Sequence, residues 1–220
     1  MNDKLHGQTF VNMFSFSIDL FVREVVNTKS STRLILYKSN YPIASPTIDA
    51  NFTADKFINY MNGRSSMIMY LTETNDLMIT FFSNSMQFNM APLKNIPLYT
   101  PFRISVVVQD KMFTVYLNSK EVFQRMVPGL ISLPSTISGT QLFYSSPEWA
   151  NNPKQTVFVQ NFHVWGRAIS YKELITAKPA LALVDDFGLS PEVAAECLSA
   201  SQALKNASDT IVSSVRNVLG

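Results

Sequence analysis

The chain has 220 residues, 46% of them hydrophobic and 15% charged, with 18 basic and 16 acidic side chains giving a formal charge of +2. Its Lys and Arg residues do not cluster, which argues against a nucleic-acid grip, and no apolar run reaches the ~18 residues of a membrane-spanning helix. One cysteine and two histidines exclude a disulfide framework and the usual His/Cys zinc site.

The opening residues, Met1 to Gln8, lack the apolar core of a secretory signal. The expectation is cytoplasmic synthesis without a signal peptide, in a reducing compartment, with His6 in a mobile N-terminal segment. From Phe14 to Leu20, apolar Phe14, Phe16, Ile18 and Leu20 alternate with Ser15, Ser17 and Asp19. This is the period of a strand with one buried and one wet face. Leu34–Tyr37 is a short apolar run suited to a strand covered on both faces. Ser66–Leu71 and Leu77–Phe82 bracket the polar Thr72–Asp76 and predict a hairpin.

After Pro97 and Pro101, Phe102, Ile104, Val106 and Val108 alternate with Arg103 and Ser105, and Val107 interrupts the polar side. Asp110-Lys111 turns the chain into Met112–Leu117, and Asn118-Ser119-Lys120 turns it into Glu121–Val127, ended by Pro128-Gly129. Connections this short require an antiparallel meander. Gln141–Tyr144 and Thr156–Trp165 are further strands. Eight or nine short strands with no helix between them predict an all-β, antiparallel jelly-roll β-sandwich. Sixteen phenylalanines and ten methionines fill the space between its sheets.

The composition changes after residue 177. Residues 178–220 are rich in Ala and Ser, and their only aromatic is Phe187. Residues 178–189, with Lys178-Pro179 and the charged Asp185-Asp186, are expected to be a linker. Ser190-Pro191-Glu192 has the order of an N-cap, a first-turn proline and a first-turn acid. Residues 190–220 are therefore predicted as a C-terminal amphipathic helix, whose narrow apolar seam includes Cys197, Leu204, Ile211, Val215 and Val218.

The chemistry on offer is sparse. A glycosidase needs two carboxylates facing one cleft, but Asp19 and Glu24 are five apart and fall on opposite faces of a strand. Cys197 on the helical seam is expected to be a buried, inert thiol. His163 is expected to be a partly buried, satisfied side chain beside Trp165, and the seven glycines form no phosphate loop. Asn51-Phe52-Thr53 and Asn206-Ala207-Ser208 fit the glycosylation triplet, but without a secretory signal they are expected to be chance matches. No catalytic residue, metal ligand or cofactor is assigned. A lectin-like rim would use loop residues such as Tyr99, Trp149 and Asn151.

The run from Ile96-Pro97-Leu98 through Phe102–Val108 to Phe113–Asn118, followed by Val159–Leu174, resembles the laminin-G-like, concanavalin A-like family. The resemblance covers residues 10–177 and implies a jelly roll spanning residues 1–177. Phe102 stands where the family usually has tryptophan, and Ser119 replaces a hairpin glycine. The Glu-x-Asp-x-x-Glu signature of the glucanase branch is absent, so enzymatic activity is not carried over, and no calcium ligand maps onto this sequence residue by residue, so metal binding is not carried over either. Ser170 with Glu173 forms a capping box that starts the short helix after the last strand. The Asn95–Gly129 run is similar to laminin-G-like proteins of large nucleocytoplasmic DNA viruses. That similarity implies a minor capsid or other virion component with a protein partner such as a major capsid protein. The expectation is a non-enzymatic structural protein; the alternative is a carbohydrate-binding module.

Overall fold

A computed structural model describes residues 4–9, 13–23, 32–44, 54–82, 87–90, 92–94, 96–127, 141–145, 157–176 and 179–189, with isolated positions in the tail. Among these are eleven strands: β1 Lys4–Thr9, β2 Met13–Val22, β3 Arg33–Ser39, β4 Met67–Leu71, β5 Leu77–Phe82, β6 Gln87–Asn89, β7 Phe102–Gln109, β8 Met112–Leu117, β9 Lys120–Met126, β10 Gln141–Ser145 and β11 Val157–Trp165. They form a six-stranded sheet in the order β1-β10-β3-β4-β5-β6 and a five-stranded sheet in the order β11-β2-β7-β8-β9. Every strand pairing is antiparallel. The protein is an all-β jelly-roll sandwich, as the strand spacing predicts.

The core follows from the period-2 pattern. Phe14, Phe16, Ile18 and Leu20 of β2 and Phe102, Ile104, Val106 and Val108 of β7 are all buried between the sheets. Aromatic rings bridge the two layers: Phe143 of β10 lies 5.2 Å from Phe16, and Phe81 of β5 lies 4.7 Å from Phe113 of β8. Each such ring contributes roughly 1.5–3 kcal/mol by leaving water. Phe102 is among these buried rings.

Turn geometry fixes the connections in both sheets. Asn118 (φ 48°) and Ser119 (φ 72°) both lie in the left-handed region, and Leu117 pairs with Lys120 across them. The two-residue turn therefore forms without a glycine, because a primed turn matches the twist of its strands. The β4–β5 hairpin closes on Leu71 opposite Leu77, with residues 72–76 as its loop. Thr72 Oγ1 accepts a hydrogen bond from the Asp76 amide at 3.0 Å and stiffens that loop.

Three features depart from the expectation. A helix, α1 (Ala54–Met61), lies between β3 and β4, where none was expected. Its Phe57, Ile58 and Met61 pack on Leu34, Tyr37, Ile68 and Tyr70 on the outer side of the six-stranded sheet. That packing explains why β3 is buried on both faces. The N-terminal residues form β1, with His6 opposite Phe143 across two register shifts, so His6 belongs to a sheet edge. Third, the polar face of β2 is not wet: Ser15, Ser17 and Asp19 are fully buried.

A lysine lies inside the sandwich. Lys38 is fully buried, with its Nζ 4.6 Å from the centre of the Phe14 ring and 2.9 Å from Gln141 Oε1. Burial holds its ammonium well below the usual lysine range, while the ring face and the amide oxygen favour the charge that remains.

Candidate functional site

The most structured polar region is the outer face of the five-stranded sheet. Register places Gln160 of β11, Asp19 of β2 and Arg103 of β7 side by side. Arg103 grips Asp19 in a fork: Nε donates to Oδ1 and Nη2 donates to Oδ2 at 2.7 Å, with both side chains buried. In the turn after β8, Asn118 Oδ1 accepts from the Arg103 amide at 2.8 Å and the Asn118 amide donates to the Arg103 carbonyl at 2.9 Å. The meander turn thereby fixes the backbone beneath the ion pair.

Local irregularity in β11 completes the arrangement. The register shifts between Gln160 and His163, and Asn161 has φ 48°, the signature of a β-bulge with a left-handed residue. Gln160 and Asn161 consequently both serve the outer face, while Phe162 joins the core beside Phe16 and Phe143. Asn161 Nδ2 donates to Asp19 Oδ2 at 2.8 Å. Asparagine is among the residues that tolerate this backbone conformation.

Residues 179–189 cross this face as a strap. Arg103 donates to the Pro179 carbonyl at 2.7 Å and to the Ala180 carbonyl at 3.1 Å, and the Ala182 amide donates to Asp19 Oδ2 at 2.9 Å. Ala182 and Phe187 are buried, with Phe187 5.6 Å from Phe21 of β2. A 3₁₀ turn, Val184–Phe187, brings Phe187 inward. Asp186 accepts from the Leu183 amide at 2.7 Å, and Gly188 ends the turn at φ 64°, where a side chain would be strained. The stretch expected to be a linker thus makes specific contacts with the sandwich.

Beyond β11, α2 (Tyr171–Thr176) covers a further part of the face. Leu174 and Ile169 pack with Tyr116, Val107 and Trp165, which accounts for the apolar Val107 on an otherwise polar side. The capping box forms as predicted, with Glu173 N donating to Ser170 Oγ at 3.2 Å and Ser170 N donating to Glu173 Oε2 at 3.0 Å. Arg167 also bonds Glu173 at 2.5 Å. That bond first, and the Ser170 amide second, pull the Glu173 carboxyl from its usual 4.5 down to about 2. Ser15 Oγ donates to the Arg167 carbonyl at 2.9 Å and accepts from the Ile169 amide at 3.1 Å.

Of the residues singled out from sequence, Tyr99 packs half-buried against the cluster around Phe21 and Phe187, with φ 56° and its amide bonded to the Val22 carbonyl at 2.8 Å. Trp149 and Asn151 lie outside the described residues, as do the seam residues Cys197, Leu204, Ile211, Val215 and Val218. The described tail positions, Ala195, Ser199, Gln202, Ala203 and Asn206, are helical and exposed. His163 is exposed and stacks on Trp165 with 6.2 Å between ring centres. Among the described residues no three His, Cys, Asp or Glu side chains are grouped to hold a metal, and no helix is long and apolar enough to cross a membrane.

No family model matches the chain, and no curated protein does so. Among solved structures, a Trypanosoma rangeli sialidase in complex with sialic acid aligns at 13% identity and a TM-score of 0.48, over 76% of this chain and 22% of the sialidase. The binding domain of botulinum neurotoxin serotype D/C aligns at 12% identity and a TM-score of 0.47, over 75% of this chain and 36% of the other. The chain therefore spans about a fifth to a third of the structures it matches.

Two outcomes follow from the geometry. Asp19→Ala leaves Arg103 buried without its counter-charge and is expected to cost about 3–5 kcal/mol, read as a lower urea midpoint at an unchanged slope. Glu173 is expected to titrate near 2 by NMR and to return towards 4.5 in Arg167→Ala. Because its folded value is the lower one, its contribution to holding α2 is complete above about 4.5 and is lost as pH falls towards 2.

Proposed function

We propose that this chain is a non-enzymatic assembly protein that docks other protein subunits through the cover of its five-stranded sheet and through its C-terminal helix. One observation carries the reading. The Asp19–Arg103 region of the sheet is covered by the chain's own strap, and α2 covers the region around Tyr116 and Val107; the outside of that cover displays apolar side chains. Leu183 is 70% exposed and Tyr171 51%, with Ile175 and Leu181 also exposed. Large apolar side chains left in water on a structured surface suit contact with another protein.

The engaged state of Asp19 argues in the same direction. Its carboxylate already accepts from Arg103, Asn161 and the Ala182 amide, which leaves it poorly suited to proton transfer. The seam of Cys197, Leu204, Ile211, Val215 and Val218 is the second contact in this proposal. The finer form, a minor capsid component beside a major capsid protein, rests on the resemblance of the Asn95–Gly129 run alone.

The test is where the native chain sediments. In a density gradient of lysed producing cells, it is expected to co-migrate with a large particle through a salt wash. Leu183→Asp combined with Leu204→Asp and Ile211→Asp should move it to the free-protein fractions. A wild-type peak at the size of the free 24.7 kDa chain, together with binding on a glycan array, would replace this reading with a carbohydrate-binding module.

A further inference from the structure

The methionines divide by position. Among the described residues, Met61, Met67, Met69, Met78 and Met90 are buried, and the other three, Met13, Met112 and Met126, are 37%, 41% and 65% exposed. Register brings those three together. Met13 of β2 pairs with Gln109 of β7, Gln109 pairs with Met112 of β8, and Met112 pairs with Met126 of β9. They form one row across four strands. Phe14, Val108 and Phe113, next to them in the chain, are buried in the core, so alternation puts the row on the outer face of the sheet. The row stands six positions along β2 from Asp19, about 20 Å away. Residues 179–189 make their bonds to Asp19 and Arg103 at that other end.

A thioether is a soft, polarizable donor. Soft sulfur ligands select copper(I), whereas calcium and magnesium call for carboxylate and carbonyl oxygens. Met112 and Met126 stand directly opposite one another, which sets their Cβ atoms ~4.5–5.5 Å apart. Met13 is two strands from Met112, about 10 Å, and three rotatable bonds in each side chain let the sulfurs close that gap over Gln109. The row holds no His, Cys, Asp or Glu among the described residues. We propose that Met13, Met112 and Met126 form a thioether site for a soft monovalent cation of the copper(I) class. Neutral donors suit an ion of single charge. One ion gathering the three sulfurs also ties β9, the edge strand of its sheet, to β2. The site stands independently of the docking function.

Silver(I) is the probe, because it shares the charge and ligand preference of copper(I) and undergoes no oxidation in air. It is titrated into the full chain carrying Cys197→Ser, since a thiolate takes the same ions. Binding is followed by NMR of the labelled methionine methyl groups. The methyls of Met13, Met112 and Met126 are expected to shift together and to saturate at a single ion per chain, with those of Met61, Met67 and Met69 unmoved. Met112→Leu changes an exposed side chain at nearly constant volume. It should weaken binding at least about tenfold, since even an outer-shell partner of a metal is worth that much. The affinity should be the same at about pH 7 and about pH 5, because a thioether takes no proton, whereas an imidazole with a pKa of ~6.5 would be lost. The proposal is overturned by exposed methyls that do not shift together, by saturation only at millimolar silver, by an unchanged affinity in Met112→Leu, or by binding that disappears at the lower pH.

Discussion

The ion pair between Asp19 and Arg103 is the constraint around which the outer half of the molecule is arranged. Both side chains are buried, and charges taken out of water are held only where further hydrogen bonds satisfy them. Asp19 obtains those bonds from Asn161 on the β11 bulge and from the Ala182 amide of the strap. Arg103 obtains its own from the Pro179 and Ala180 carbonyls. The strap is thus required by the pair, and the pair is what holds the strap. Neither has a low-energy arrangement without the other, which is why the last described stretch of the chain is folded onto the sandwich.

The same pair guards register. Asp19 and Arg103 are direct partners in the β2–β7 ladder, and a slip of either strand by one residue would move its charge from the outer face into the core and separate it from its partner. Hydrophobic alternation alone favours the right face; a bidentate bond between two fixed positions adds a directional requirement. The bulge at Asn161 belongs to the same system, since it turns two consecutive polar side chains outward while returning Phe162 to the core.

Much of the sandwich was legible in the sequence, because a strand with one apolar face writes its period directly into the residues. The alternation from Phe14 to Leu20, the meander after Phe102 and the Ser170–Glu173 capping box all take the predicted form. What remained hidden depended on tertiary cover. Ser15, Ser17 and Asp19 carry the pattern of a wet face, and periodicity cannot distinguish water from a main chain that offers the same hydrogen bonds. Helix α1 is eight residues long, too short for its Phe57, Ile58 and Met61 to stand out against neighbouring strands. The site itself had two faint signals: opposite charges within two neighbouring strands of otherwise uncharged alternation, and Phe187 as the single aromatic of an Ala- and Ser-rich tail.

The claim that the strap is an integral part of the sandwich is tested most directly by native-state amide hydrogen exchange on the intact chain. If the ion pair and strap form one unit, the Ala182 amide, which is bonded to Asp19, exchanges only with global unfolding and shows the protection of the β2 and β7 amides. Exchange of Ala182 at the rate of an open loop, with β2 and β7 still protected, would contradict the account and reduce the strap to a loosely held appendage.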